Sequence, residues 1–319
     1  AIWTLSFLAE IGLILILLQA GYGIQSLLIA FVARYLLSIS LSAVACFRAL
    51  PGLSIAPRHF RRELIGQFTG FGAVVQLTGV LSIFLNSIEK LVAGAFLGVQ
   101  ATGLFEVGQK LPIMSSQVTA SMNAVFLPAA AHLHSSAQKE RLLSLYLRGS
   151  RYVSLINGYA MGFLAAFAPL LLYVWIGGEM DLSRAAFLMA LFTLPNQLNV
   201  LTGPGSALHR GAGQPLRELR YPLAQMALAV LGLGSAWLWD GLSVESIALA
   251  IAGAMSVSAL FYMGMTNRIL DVELSLFVRK VLLPGLLPYF IGFGLRYLIF
   301  PGQWPEVTRW YLGLILVAC

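Results

Sequence analysis

The chain has 319 residues, 59% of them hydrophobic and 10% charged, with a mean hydropathy of +0.84 and a net charge of +7. A soluble domain carries about 25% charged residues, so a water-soluble globular protein is excluded. Long apolar runs without strand-type alternation exclude a β-barrel and predict an all-α, polytopic transmembrane bundle.

Apolar segments fall at residues 3–20, 23–48, 64–97, 100–134, 152–176, 184–208, 219–239, 242–265, 275–299 and 307–319, which predicts about ten spans. The first run begins at once, without an initiator Met or a signal-peptide pattern, and the last is too short to cross a bilayer. The expectation is a fragment cut inside a larger membrane protein. Cys46 and Cys319 make no disulfide framework.

Loop charge sets the topology. One side holds Arg48, Arg58, Arg61 and Arg62, then Lys139, Arg141, Arg148 and Arg151, then Arg210, Arg217 and Arg220, then Arg268, Arg279 and Lys280. The other has Arg184 and Arg309, with Glu179, Asp181, Asp240, Glu245 and Glu306. By the positive-inside rule the first side is cytoplasmic, and the net charge reports orientation rather than a nucleic-acid partner. Residues 51–63 read as a basic cytoplasmic linker. Residues 138–151 read as an amphipathic segment lying along the cytoplasmic headgroups.

Charge inside the spans is costly and therefore points to function. Arg34, Lys90, Lys110 and Arg296 are the embedded bases; Glu10, Glu89 and Glu106 are the embedded acids. Glu10 and Arg34 fall at similar depth in the first hairpin. They make either a self-neutralising ion pair or an Arg facing a polar cavity with Glu10 holding its side chain. The organising stretch is FLNSIEKLVAGAFLGVQATGLFEVGQKLP, residues 84–112. Its short Gly-bounded turn predicts an antiparallel hairpin. Lys90 and Lys110 then lie ~14–17 Å from the turn at ~1.5 Å per helical residue, near the bilayer midplane. There they meet Glu89 and Glu106. Glu106 and Lys110 are four residues apart and face one another. Arg296, near a helix end, is expected to snorkel to the interface. Gly203, Pro204 and Gly205 at the cytoplasmic end of a helix read as a hinge or as ordinary membrane-helix composition.

No enzyme constellation emerges. His132 and His134 do not share a helix face, His59 and His209 lie in basic loops without ligand partners, and there is no phosphate-cradling Gly-Lys-Ser/Thr loop. No metal or cofactor is implied. Intramembrane catalysis by Glu89 and Glu106 lacks an accompanying Asp-rich loop or metal cluster.

The acid–base pair followed by AGAFLGVQATGLFEVGQKLP, with Glu89 as the acid and Gly98, Gly103 and Phe105 in the turn pattern, resembles the middle of the bacterial polysaccharide-biosynthesis flippases. These belong to the multidrug/oligosaccharidyl-lipid/polysaccharide exporter superfamily. The downstream AVFLPAAAHL (residues 124–133) and the loop near Gly211 and Gly213 resemble the same family, over residues 64–265 in all. The resemblance implies a two-lobed flippase fold like that of the multidrug exporters, lacking its first helices. Residues 1–50 would be the last two helices of the first lobe and 64–265 a six-helix second lobe. Residues 266–319 would be an added pair.

The implied cargo is a polyprenyl-pyrophosphate-linked oligosaccharide, an O-antigen, capsule or exopolysaccharide repeat, carried across the bacterial inner membrane by alternating access. Arg34, Lys90 and Lys110 would hold the pyrophosphate, with Glu10, Glu89 and Glu106 pairing them or coupling to H+ or Na+. Other polysaccharide-assembly proteins are the implied partners. The alternatives are a cation-coupled multidrug antiporter of the same superfamily, a membrane glycan polymerase or glycosyltransferase, and a non-transporting scaffold. Polymerases need large extracytoplasmic loops that this chain lacks.

Overall fold

The computed structural model describes residues 2–50, 62–136, 138–177, 182–239 and 241–299. Among the described residues every regular element is helical. The chain separates into two compact units, Ala1–Ile65 and Gly66–Cys319.

The first unit is a hairpin of α1 (Ile2–Gln19) and α2 (Gln25–Ala49), turned by Gly21 (φ 85°) and Gly23 (φ 53°). Its polarity is inside out. The buried residues of α1 are Ser6 and Glu10, and those of α2 are Ser26, Ala30 and Ser38, while Leu, Ile and Phe face outward. Spacings of four line these small and polar groups along one seam, as expected where lipid rather than water surrounds the helices.

α3 (Arg62–Leu85) begins in the last residues of the first unit and belongs from Gly66 on to the second, which also contains α4 (Ile88–Phe96), α5 (Val99–Met122), a 3₁₀ turn (Asn123–Val125) and α6 (Phe126–Ser135). It continues through α7 (Lys139–Ile176), α8 (Leu182–Gly211), α9 (Pro215–Trp239), α10 (Val244–Ile269), α11 (Leu274–Phe277), a π-helical turn (Val278–Leu282) and α12 (Leu283–Ile299). α8 is the central helix: it is buried almost all round and packs against α5, α6, α7 and α10.

Among the described residues seven helices are long and apolar enough to cross a membrane. α3 and α4, bent by 43° at the break between them, together have the apolarity of a broken span or a re-entrant loop. The break falls at Asn86 and Ser87, residue types that compete with the helical backbone for hydrogen bonds. α5 has the length for a further span but carries Glu106 and Lys110. The segment expected over 100–134 is likewise interrupted, ahead of Pro128, which sits in the first turn of α6 where its missing N–H is tolerated. The protein is thus an all-α, multi-pass membrane bundle. Of the expected linker over residues 51–63, residues 51–61 lie outside the described residues, as does the last apolar run at 307–319; Arg62 and Glu63 are not linker but the first residues of α3.

One expectation is corrected. Residues 139–151 do not form a separate interfacial segment; they are the opening turns of α7, a helix of 38 residues and ~57 Å at ~1.5 Å per residue. Its apolar face meets protein instead of headgroups. Tyr146 is buried, stacks on Phe277 with ring centroids 5.7 Å apart, and donates a hydrogen bond to Asn267 Oδ1 at 2.9 Å.

Three backbone carbonyls near prolines in this unit accept side-chain donors from other elements. Pro204 leaves the Val200 carbonyl without its helical donor, and Asn123 Nδ2 donates to that oxygen at 3.3 Å. Pro169 lies beside the non-helical Phe167 (φ −109°, ψ 17°), and Arg296 Nη1 donates to the Ala166 carbonyl at 2.6 Å. The Gly285 carbonyl, three residues before Pro288, accepts from Gln197 Nε2 at 2.9 Å. A backbone acceptor freed at membrane depth, as at Val200, needs such a partner. Arg296, expected to snorkel to the interface, donates to the backbone of α7.

Candidate functional site

The α4–α5 hairpin is closed by backbone chemistry. The N–H groups of Leu97 and Gly98 both donate to the Ala93 carbonyl, and Gly98 takes φ 92°, a conformation that favours glycine. A Cβ on Gly94 would lie 3.0 Å from Thr102 Oγ1, so the two helices run in close contact. The buried face of α5 comprises Phe105, Gly108, Gln109, Pro112, Ser116 and Thr119. A Cβ on Gly108 would lie 2.6 Å from Leu188 Cβ, which seats this face tightly on α8. With those residues inward, helical periodicity turns Glu106 and Lys110 outward, in line with exposed Met114, Gln117 and Ser121.

On that outer face one carboxylate serves two ammonium groups. Glu106 Oε2 accepts from Lys90 of α4, and Glu106 Oε1 accepts from Lys110 Nζ at 3.1 Å. Glu106 and Lys110 are about half exposed, and Lys90 is more enclosed, at 22%. The cluster carries one net positive charge. It lies ~11–18 Å from the hairpin tip, counted along α4 and α5 at ~1.5 Å per residue.

The sequence suggested four ionisable groups meeting here; the structure brings three together. Glu89 is one residue from Lys90, and a step of ~100° around a helix points it elsewhere. It is 2% exposed, in the first turn of α4, and its Oε1 has no hydrogen-bond partner among the described residues. The Nε2 of buried Gln109 is likewise without a partner there.

In the first unit, Arg34 Nη1 bonds Glu10 Oε2 at 2.7 Å, and both side chains are largely buried. The guanidinium also lies 5.1, 5.6 and 5.0 Å from the ring centroids of Trp3, Phe31 and Tyr35. Such stacking suits the planar, weakly hydrated guanidinium. A concavity of about 430 Å³ borders Glu10 and Arg34, with Ala9, Gly12, Ala30 and Ala33 in its wall. The ion pair is formed, and apart from the pair itself the wall of the concavity is apolar, made by Ala, Gly, Leu and Ile.

Gly203, Pro204 and Gly205 lie within continuous α8. Both glycines are sites of close packing: a Cβ on Gly203 would lie 2.0 Å from Asn123 Nδ2, and one on Gly205 would lie 3.2 Å from Thr266 Cγ2.

Sequence reasoning missed a polar layer at the α8–α9 turn. Arg210 and Glu218 form a bidentate pair at 2.6 Å for each contact, spanning a turn with Gly213 at φ 71°. His209, expected in a loop, is buried in the last turn of α8, 3.3 Å from Thr266 Oγ1. Tyr221 donates to Asn199 Oδ1 at 2.9 Å nearby. The available signal was Glu218, the one acid among Arg210, Arg217 and Arg220.

A multi-pass helical bundle with paired charges inside its spans defines an integral membrane protein with polar surfaces at membrane depth. A family model described as polysaccharide biosynthesis protein matches residues 1–181, more than half of the chain. The chain belongs to the polysaccharide biosynthesis protein family, and the matched part contains both charged clusters. The family match takes in the first hairpin, which lay outside the resemblance over 64–265. No curated protein and no solved structure matches the chain.

Proposed function

We propose that this protein is a lipid-linked oligosaccharide flippase, carrying a polyprenyl-pyrophosphate-linked sugar repeat from the cytoplasmic to the outer leaflet of the bacterial inner membrane by alternating access. The observation that carries the reading is the Lys90–Glu106–Lys110 cluster, a net cation on an outward face of α5. Charge at that depth is expensive against lipid and belongs on the wall of a polar cavity. A pyrophosphate moving through a bilayer needs charge-assisted donors of this kind. Arg34, at the edge of its own concavity, supplies a further cation.

On this reading the protein transports and performs no bond chemistry. Glu10 orients Arg34. Glu89, buried and outside the Lys90–Glu106–Lys110 cluster, is the acid suited to carry a coupling H+ or Na+. Other polysaccharide-assembly proteins supply the cargo and take it up on the far side. Family membership supports a place in polysaccharide assembly.

The test is rescue of glycan export in a flippase-deficient strain by the intact protein. Lys90→Ala, Lys110→Ala and Arg34→Ala should each abolish rescue while membrane insertion stays normal. Full export by all three overturns the cavity assignment. Dye or drug extrusion without glycan rescue moves the protein to the antiporter reading.

A further inference from the structure

We propose that Glu106 is the charge-selectivity residue of the Lys90–Lys110 site, yielding both lysines to a diphosphate but not to a singly charged phosphate headgroup. This rests on the reading of the two lysines as the pyrophosphate-binding pair and adds a discrimination step to it.

The geometry is specific. Each Glu106 oxygen has its own ammonium partner, Lys90 on Oε2 and Lys110 on Oε1, so no lysine charge is gained without displacing this carboxylate. The lysines come from two helices held at close approach by Gly94 and Thr102, which keeps the cations near one another when the carboxylate leaves. Glu106 itself is 48% exposed, on the outward stripe of α5, and its side chain has room to turn away.

An incoming anion therefore competes with an anion already built into the chain. A phosphodiester headgroup carries one charge, as Glu106 does; exchanging one for the other leaves the number of ion pairs unchanged and strands the carboxylate. A diphosphate carries charge on two phosphorus centres, so each lysine can take its own phosphate, and the added attraction offsets the displaced carboxylate. The competition matters because a bilayer presents singly charged phospholipid headgroups in large excess. Two bare lysines in a cavity open to lipid would be filled by them. Glu106 keeps the pair for ligands of higher charge.

The experiment measures binding of farnesyl diphosphate and of farnesyl methyl phosphate, a singly charged phosphodiester, to the intact protein in uncharged-lipid nanodiscs. The wild type should prefer the diphosphate by about tenfold or more, the scale of one additional charge-assisted contact. Glu106→Gln should bind both more tightly and bring the ratio close to one. Glu106→Asp, which keeps the charge, should keep the preference and controls for folding. If Glu106→Gln retains the wild-type ratio while Lys90→Ala and Lys110→Ala lose the diphosphate, the selectivity proposal fails and the binding site stands. If both lysine variants bind the diphosphate as the wild type does, the underlying reading fails and takes the proposal with it. Inorganic pyrophosphate and phosphate serve as free-anion probes. Much weaker binding than their farnesyl counterparts supports a lipid-linked ligand, whereas equal binding overturns it.

Discussion

Arg296 Nη1 donates to the carbonyl oxygen of Ala166 at 2.6 Å, three residues before Pro169 in the neighbouring helix. A cation near the end of α12 thus caps a buried carbonyl of α7 next to the non-helical Phe167. Arg296→Met should lower stability by about 1–3 kcal/mol, the cost of leaving a buried acceptor without its donor. Arg296→Lys, which keeps a donor, should lose less. Thermal unfolding of the three proteins in nanodiscs checks this; equal losses for Met and Lys would show that this hydrogen bond does not stabilise the contact.

In α8, Asn123 Nδ2 donates to the Val200 carbonyl, which Pro204 leaves without its helical donor. If the Gly203-Pro204-Gly205 segment is a hinge, Pro204→Ala should leave the fold intact and slow glycan export by roughly tenfold, since hinge changes act on conformational steps. Unchanged export with unchanged stability removes the hinge assignment.

For Glu10 and Arg34, stability and activity should separate. Arg34→Met strands the Glu10 carboxylate and should lower the thermal unfolding midpoint. Adding Glu10→Gln should restore most of that loss. The double variant should nevertheless fail to export glycan if Arg34 contributes a cation to the cavity. A stable double variant that exports normally would reduce the pair to a structural ion pair.

The α7–α12 contact depends on absent side chains. A Cβ on Gly285 would lie 2.0 Å from Ser154 Oγ, and one on Gly162 would lie 2.8 Å from the Pro288 backbone. A Cβ on Gly294, also in α12, would meet nothing within 4 Å. Gly285→Ala and Gly162→Ala should each destabilise by about 1–3 kcal/mol through overpacking. Gly294→Ala should be neutral or slightly stabilising through helix propensity. Equal effects at Gly285 and Gly294 would contradict the packing.

Much of this protein was legible in its residues because the bilayer imposes simple rules. Hydropathy marked the spans, and a four-residue spacing paired Glu106 with Lys110. Glu10 and Arg34 were placed at matching depth by counting along a hairpin.

Only the tertiary structure decided which way each charge points and what it touches. Glu89 and Lys90 are neighbours in sequence, yet one enters the core and the other joins Glu106, because successive helical residues diverge by ~100°. The opening of α7 looked interfacial by its amphipathic pattern, but its apolar face is covered by Phe277 and the end of α10, partners more than a hundred residues away. The side-chain bonds to backbone carbonyls had no local signature at all. Asn123, Arg296 and Gln197 reach carbonyls on other helices, and periodicity along one helix carries no information about which distant donor will reach its backbone.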